Sequence, residues 1–335
     1  MRLFVYGTLK PDHPGFTEFF DRQEFRIATF PKAQLSGYKL LDWDGLAVAA
    51  PSSDATWKVI NGFLLEVIAP EEKEALKLLD LYEIGDGDRP EDTYPRPLER
   101  KEVEVECDGT KVKAWAYVLS ERRAKQTVER TITHEIETGH WTMADDRLYR
   151  TIFPLAALEL RESLGEEDRE LGHVKTLGMY LVIYSCLERF GLHVFGPRRF
   201  REGDRDALQK LLKDRYFKTE RSESRTASPT WFQVHEGFAK LKVHDSTSMN
   251  SCMIGKAPTT FWAMVRNNTA HQGKDSSEEH RNLVRVAAAS LTDFLVMALT
   301  SHNREIGESL RASWEKYGLR VIPGQFQESL NLSDA

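Results

Sequence analysis

The hydrophobic pattern changes its period about a third of the way along the chain. Up to residue 122 the apolar residues come in short runs broken by turn residues. Leu3-Phe4-Val5-Tyr6 ends at Gly7-Thr8, and further runs follow at Ala33–Leu41, Val59–Val67, Val103–Cys107 and Val112–Leu119. Asn61-Gly62 and Asp108-Gly109 read as turns among these runs, the second closing a hairpin between the last two. Pro70–Tyr82 reads as a helix, with Pro70 and its glutamates in the first turn and Leu76 and Leu79 after them.

Downstream the period is helical. Leu148, Ile152, Leu155 and Leu158 fall on one stripe of a helix over Leu148–Leu164 stopped by Gly165. Helices are also expected over Val174–Phe190, ended by Gly191, and over Asp204–Tyr216. A polar loop is expected at Thr219–Ser228. Thr259–His271 reads as a helix capped by Thr259 or Thr260 with Gly273 past its end, and Glu278–Leu299 as a long core helix. Period-2 and period-3.6 faces bury against different partners, so the expected class is α+β: a β-rich domain over 1–122, a partly helical linker over 123–145, and a helical bundle over 146–325.

With 335 residues there is enough chain for two such cores. The net charge of -6 is unevenly placed. Residues 1–124 hold 17 basic and 23 acidic side chains, and the remainder is balanced, so neither half has the basic excess of a general DNA binder. Cys107, Cys186 and Cys252 are too few and too widely spaced for a disulfide framework or structural zinc. His134 and His140 match no standard ligand spacing, and no metal or cofactor is expected. The longest strongly apolar run, Leu177–Leu187, is too short to span a bilayer, and no leader-like segment precedes the first strand. A cytoplasmic protein is expected.

FVYGTLKP at the start, the NGFLLEV strand, LDLYE at the helix end and TYPR after it occur in a recognisable order. Residues 1 to about 120 thereby resemble the γ-glutamylcyclotransferase-like (AIG2-like, BtrG-like) family. The resemblance implies a mixed β-barrel with helices and a small γ-glutamyl-type ligand. It implies that Glu83 is the acid/base residue and that the N–H groups of Gly7, Thr8 and Leu9 form an anion-binding turn. Tyr6, Tyr94 and Arg96 match pocket positions. Where the family often has Gly after the glutamate, this chain has Ile84, followed by an acidic loop over Gly85–Pro90.

VRNNTAH, between two expected helices, resembles the R-x(4–6)-H signature of the HEPN superfamily of helical bundles. Arg266, Asn267 and His271 match it. The resemblance implies a metal-free endoribonuclease acting on single-stranded RNA, a homodimer through the C-terminal domain, and a role in stress or phage defence, as in toxin–antitoxin systems. Histidine can move a proton near neutral pH, and arginine can hold the phosphorane oxygens. Arg198-Arg199-Phe200-Arg201 is a basic, aromatic-containing loop of the kind that touches phosphates. The expected function is thus RNA cleavage, with the N-terminal domain regulating it or acting on its own ligand. The alternatives are a cyclotransferase whose helical domain dimerises it, and a ligand-sensing scaffold without activity.

Overall fold

The computed structural model describes residues 1–11, 13, 15, 16, 19, 20, 23, 25–43, 45–52, 59–69, 72–84, 98–120, 134–136, 139–195, 258–272, 278–301, 304–319 and 326. The chain divides into two compact units, Met1–Arg147 with Phe190–Arg199, and Leu148–Arg189 with Phe200–Ala335.

In the first unit, strands β1 (Arg2–Val5), β3 (Lys32–Ser36), β6 (Val59–Ile68), β7 (Leu98–Cys107) and β8 (Thr110–Leu119) form a closed ring. β1 pairs antiparallel with β6 and parallel with β8 through Leu3 and Trp115, while β3 links β6 to β7. The result is a mixed β-barrel. Strands β5 (Leu46–Pro51), β4 (Tyr38–Trp43) and β9 (His134–Glu135) extend the sheet from β8, and the two-residue β2 (Arg26–Ile27) pairs with β6.

Both faces of β1 are covered, so Leu3 through Tyr6 are all buried and the strand reads as an unbroken apolar run. β3 alternates buried and exposed residues because one of its faces meets solvent. Helix α1 (Glu72–Glu83) places Ala75, Leu79 and Tyr82 on its inner stripe. Leu79 and Tyr82 join Leu3, Val5, Leu65, Val67, Leu98 and Tyr117 in one core cluster. Glu72 and Glu74 lie in its first turn, where the helix dipole favours negative charge.

The β7–β8 hairpin turns at Asp108 (φ 50°) and Gly109 (φ 73°), as the sequence leads one to expect. Asn61-Gly62, by contrast, is no turn: both residues lie inside β6. A Cβ on Gly62 would come within 2.3 Å of the Val5 carbonyl and 2.8 Å of the Phe4 ring, so glycine here admits β1 rather than reversing the chain. The run Ala33–Leu41 is two strands, broken at Gly37. Within the stretch 123–145, read from sequence as a partly helical linker, His134–Glu135 form β9 and Trp141 is fully buried in this unit.

The second unit is helical among the described residues. Leu148–Ile152 forms one wide π turn that runs into α2 (Phe153–Leu164), with Pro154 in the first turn, where its missing N–H costs nothing. α3 (Arg169–Phe195) continues past Gly191, and its last turns from Phe190 belong to the first unit. α4 (Pro258–Gln272) begins at Pro258, so Thr259 and Thr260 lie within its first turn rather than capping it. α5 (Glu278–Ser301) and α6 (Arg304–Glu315) follow, the latter without a counterpart in the sequence reading.

The core of this unit joins Trp262, whose indole N–H donates to Ser290 (3.0 Å), to Ala287, Ala288 and Ala289, which are fully buried. Phe153 and Trp314 meet edge to face at 4.9 Å. The expected helix Asp204–Tyr216, the loop Thr219–Ser228, the Arg198–Arg201 cluster and Gly273 lie outside the described residues. No helix among the described residues is long and apolar enough to cross a membrane.

Two glycine substitutions should have opposite effects in chemical denaturation. Gly62→Ala should lower stability by about 1–3 kcal/mol, because the added methyl collides with the barrel wall. Gly178→Ala, at an α3 position with nothing within 4 Å of the new Cβ, should raise it by up to about 1 kcal/mol.

Candidate active site

β1 ends by turning inward. Lys10 N–H donates to the Gly7 carbonyl (3.2 Å), His13 N–H to Lys10 (2.9 Å) and Phe16 N–H to His13 (3.0 Å), so the chain coils tightly after the strand. Thr8 and Leu9 are buried and Gly7 is half-buried. Among the described residues, the N–H groups of Gly7, Thr8 and Leu9 donate to no backbone carbonyl. A row of backbone N–H groups in a turn suits an anion.

Glu83 is the last residue of α1 and is half-buried. The Tyr82 side chain of α1 and the turn after β1 meet at Gly15. A Cβ placed there would lie 2.7 Å from the Thr8 carbonyl and 2.7 Å from the Tyr82 hydroxyl. Glycine thus lets the residue next to Glu83 approach the backbone of the turn. Tyr82 is held there by its ring against Phe19 (centroids 4.8 Å apart).

A clamp fixes the same end of α1 to the sheet. Asp80 accepts from the Tyr117 hydroxyl (2.9 Å) and from Arg100 (2.9 Å), and Arg100 lies over the Trp115 ring at 5.3 Å. Tyr117 is pushed far above the ordinary phenol range, by burial first, then by the charge and hydrogen bond of Asp80, then by the charge of Glu83. It therefore stays protonated and donates. Glu83 is close enough for its charge to act on this hydroxyl.

Tyr6, a pocket position by resemblance, has its hydroxyl committed to backbone: it donates to the Tyr117 carbonyl and accepts from Ala49 N–H (3.1 Å). A Cβ added at Gly7 would meet only the Ala47 Cβ, at an ordinary contact distance of 3.6 Å, and Gly7 has no positive φ. Tyr94, Arg96 and the loop Gly85–Pro90 lie outside the described residues.

Sequence reading missed the polar group behind the turn. Lys10, His13, Asp146 and His193 are all buried. Lys10 Nζ donates to the Trp141 carbonyl. His193 Nε2 lies 2.9 Å from the Gly45 carbonyl, which can only accept, so this nitrogen carries a proton; the Asp146 carboxylate is 3.4 Å from it. Lys10 was visible as part of the FVYGTLKP string, but its burial was not. Asp80 sat in the LDLYE string, and Arg100 stands opposite Tyr117 by counting outward from the Asp108-Gly109 turn.

In the second unit, Arg266 is half-buried on α4. It donates to the Asn267 side chain (2.9 Å), stands 3.8 Å from Glu188 and lies 5.6 Å from the Tyr184 ring centroid. Asn267 is exposed. The backbone of His271 lies in the last turn of α4, and its side chain is outside the described residues. No group of three or more metal-ligating side chains occurs among the described residues.

Residues 3–143 match the family model of the γ-glutamyl cyclotransferase, AIG2-like proteins. The crystal structure of an AIG2-like protein from Mus musculus is similar at 18% identity, over 41% of this chain and 88% of that one, with a TM-score of 0.29. No curated protein matches. The N-terminal region is AIG2-like; the match ends before the helical unit begins.

The placement of Tyr6 makes a prediction. Tyr6→Phe should cost about 1–3 kcal/mol in urea denaturation, because it strands a buried carbonyl and weakens the hold on Ala49 N–H. A pocket-lining hydroxyl facing water would cost almost nothing.

Proposed function

We propose that the N-terminal unit carries out γ-glutamyl cyclotransfer, releasing 5-oxoproline from a γ-glutamyl amine. The observation that carries the reading is the meeting at Gly15 of the Tyr82 hydroxyl, borne by the residue before Glu83, and the backbone of the Gly7–Leu9 turn, within the AIG2-like region.

In the reaction the α-amine nitrogen of the substrate attacks its own γ-carbonyl carbon. The new C–N bond closes a five-membered lactam, and the bond to the leaving amine breaks. Glu83 takes a proton from the attacking nitrogen and returns it to the departing one, so the carboxylate is regenerated and no water is consumed. The N–H groups of Gly7, Thr8 and Leu9 hold the oxyanion of the tetrahedral intermediate. Tyr94 and Arg96 are assigned to the substrate's polar groups. In this reading the helical unit dimerises the enzyme.

Glu83→Gln should abolish 5-oxoproline release from γ-glutamyl amines while leaving the unfolding midpoint near that of the parent, since the amide keeps the shape and loses only the proton shuttle. Full activity in this variant would sink the assignment. Because the base must be ionised, activity should fall as the pH is lowered through the Glu83 titration.

A second reading rests on α4. Arg266 and Asn267 are bonded to each other on the helix that also bears His271, the order of the HEPN signature. Five positions is a rotation of about 140°, so Arg266 and His271 leave different faces of the helix, whereas Asn267 and His271 share one. The reading is metal-independent RNA cleavage by a dimer. It expects cleavage of single-stranded RNA that persists in EDTA and is lost in both Arg266→Ala and His271→Ala, with non-additive effects. Cleavage at the parental rate in His271→Ala would exclude it. The cyclotransferase reading ranks first because the family match lies over its residues and not over these.

A further inference from the structure

Asp80 precedes Glu83 by three residues, so the two carboxylates lie on one side of α1, a single turn apart. Backbone and side chain of Asp80 both act on that turn. Its carbonyl accepts from Ile84 N–H (2.8 Å), closing the turn around Glu83. Its carboxylate is filled from two strands, one oxygen by Tyr117 of β8 and the other by Arg100 of β7. Arg100 does not depend on Asp80 alone, because it also lies over Trp115.

We propose that Asp80, clamped by Arg100 and Tyr117, is a positioning residue for Glu83: the clamp fixes the last turn of α1 and sets the field in which the Glu83 carboxyl takes up and returns its proton. Among the described residues, the charged and titratable groups at this end of the helix include Asp80, Tyr82 and Glu83 of α1, Arg100 of β7 and Tyr117 of β8, with Lys10 and His13 in the coil after β1 and His193, whose carbonyl faces the Tyr82 hydroxyl. Asp80 opposes ionisation of Glu83 by like charge. Arg100 offsets Asp80. Tyr117 stays a neutral donor and adds no charge of its own. The balance between the first two decides where Glu83 titrates. As a role for Asp80 in catalysis, this inference rests on the cyclotransferase reading.

The test is the titration of Glu83 itself, followed by the NMR signal of its 13C-labelled carboxyl carbon and identified by its absence in Glu83→Gln. Arg100→Gln leaves Asp80 unopposed and should move the Glu83 midpoint upward by about one pH unit; Asp80→Asn leaves Arg100 unopposed and should move it downward by a similar amount. Arg100→Lys should restore the parental midpoint. The acid limb of kcat/KM for 5-oxoproline release should move with the midpoint in each variant. Asp80→Asn keeps the size of the side chain and an acceptor for Tyr117, so it decides the matter even if Arg100→Gln fails to fold. A Glu83 midpoint that is the same in the parent and in Asp80→Asn overturns the proposal. A parent that forms no 5-oxoproline overturns the cyclotransferase reading instead, and the carboxyl titration still decides whether Asp80 and Arg100 set the field at Glu83.

Discussion

The barrel closes through β1, and the first unit depends on that closure. β1 has a full antiparallel partner in β6 but touches β8 through the Leu3–Trp115 pairing. Where β1 leaves the sheet, a side chain replaces the missing ladder. The Tyr6 hydroxyl donates a hydrogen bond to the Tyr117 carbonyl and accepts one from Ala49 N–H, joining the end of β1 to β8 and β5. Buried backbone groups must be paired, and here a phenol pairs two of them beside the point where the chain turns into Gly7–Leu9. The orientation of that turn follows from where Tyr6 is anchored.

The same demand for paired polar groups explains what lies behind the turn. Lys10, His13, Asp146 and His193 come from distant parts of the chain but belong to one unit. Burying a lysine or a histidine–aspartate pair is costly unless hydrogen bonds and opposite charges compensate. Lys10 is met by the Trp141 carbonyl, and His193 by the Gly45 carbonyl and Asp146. Gly45 is itself set by Asp42, which accepts from Gly45 N–H at 2.7 Å. Hydrogen bonds of this kind are directional, so they constrain the arrangement of the groups more sharply than apolar packing does. The segment around Trp141 is thereby an integral wall of the unit rather than a tether.

At the other side of the turn, α1 is fixed by two unlike interactions. Leu79 and Tyr82 bury apolar surface against the sheet, which sets the depth of the helix. Asp80, Arg100 and Tyr117 set its rotation, because a carboxylate bonded to two strands cannot turn without losing both. Glu83 inherits its place from these neighbours. The reversal in the ranking of functions has a related cause. A set of strings spread from Phe4 to Arg96 defines a three-dimensional site, whereas the R-N-x(3)-H string of α4 lies on one helix and fits many surfaces.

Much of this was legible in the chain itself. Short apolar runs bounded by turn residues are a local consequence of strand geometry, unbroken in β1 and alternating elsewhere, so β1, β6, β7 and β8 could be read directly, and Asp108-Gly109 admits the positive φ of a hairpin turn. α1 and the long helix α5 declare themselves by period and end residues for the same reason. Tertiary structure decided the rest. Asn61-Gly62 has turn chemistry, yet it stays in β6 because the Phe4 ring and Val5 carbonyl need the space that glycine leaves. Gly191 looks like a helix stop, yet α3 continues to Phe195 and buries His193 beyond it. The Tyr6 hydroxyl, the burial of Lys10 and the clamp on Asp80 all arise between residues far apart in sequence. Periodicity records which face of an element is apolar; it does not record which polar atoms meet once the faces have closed.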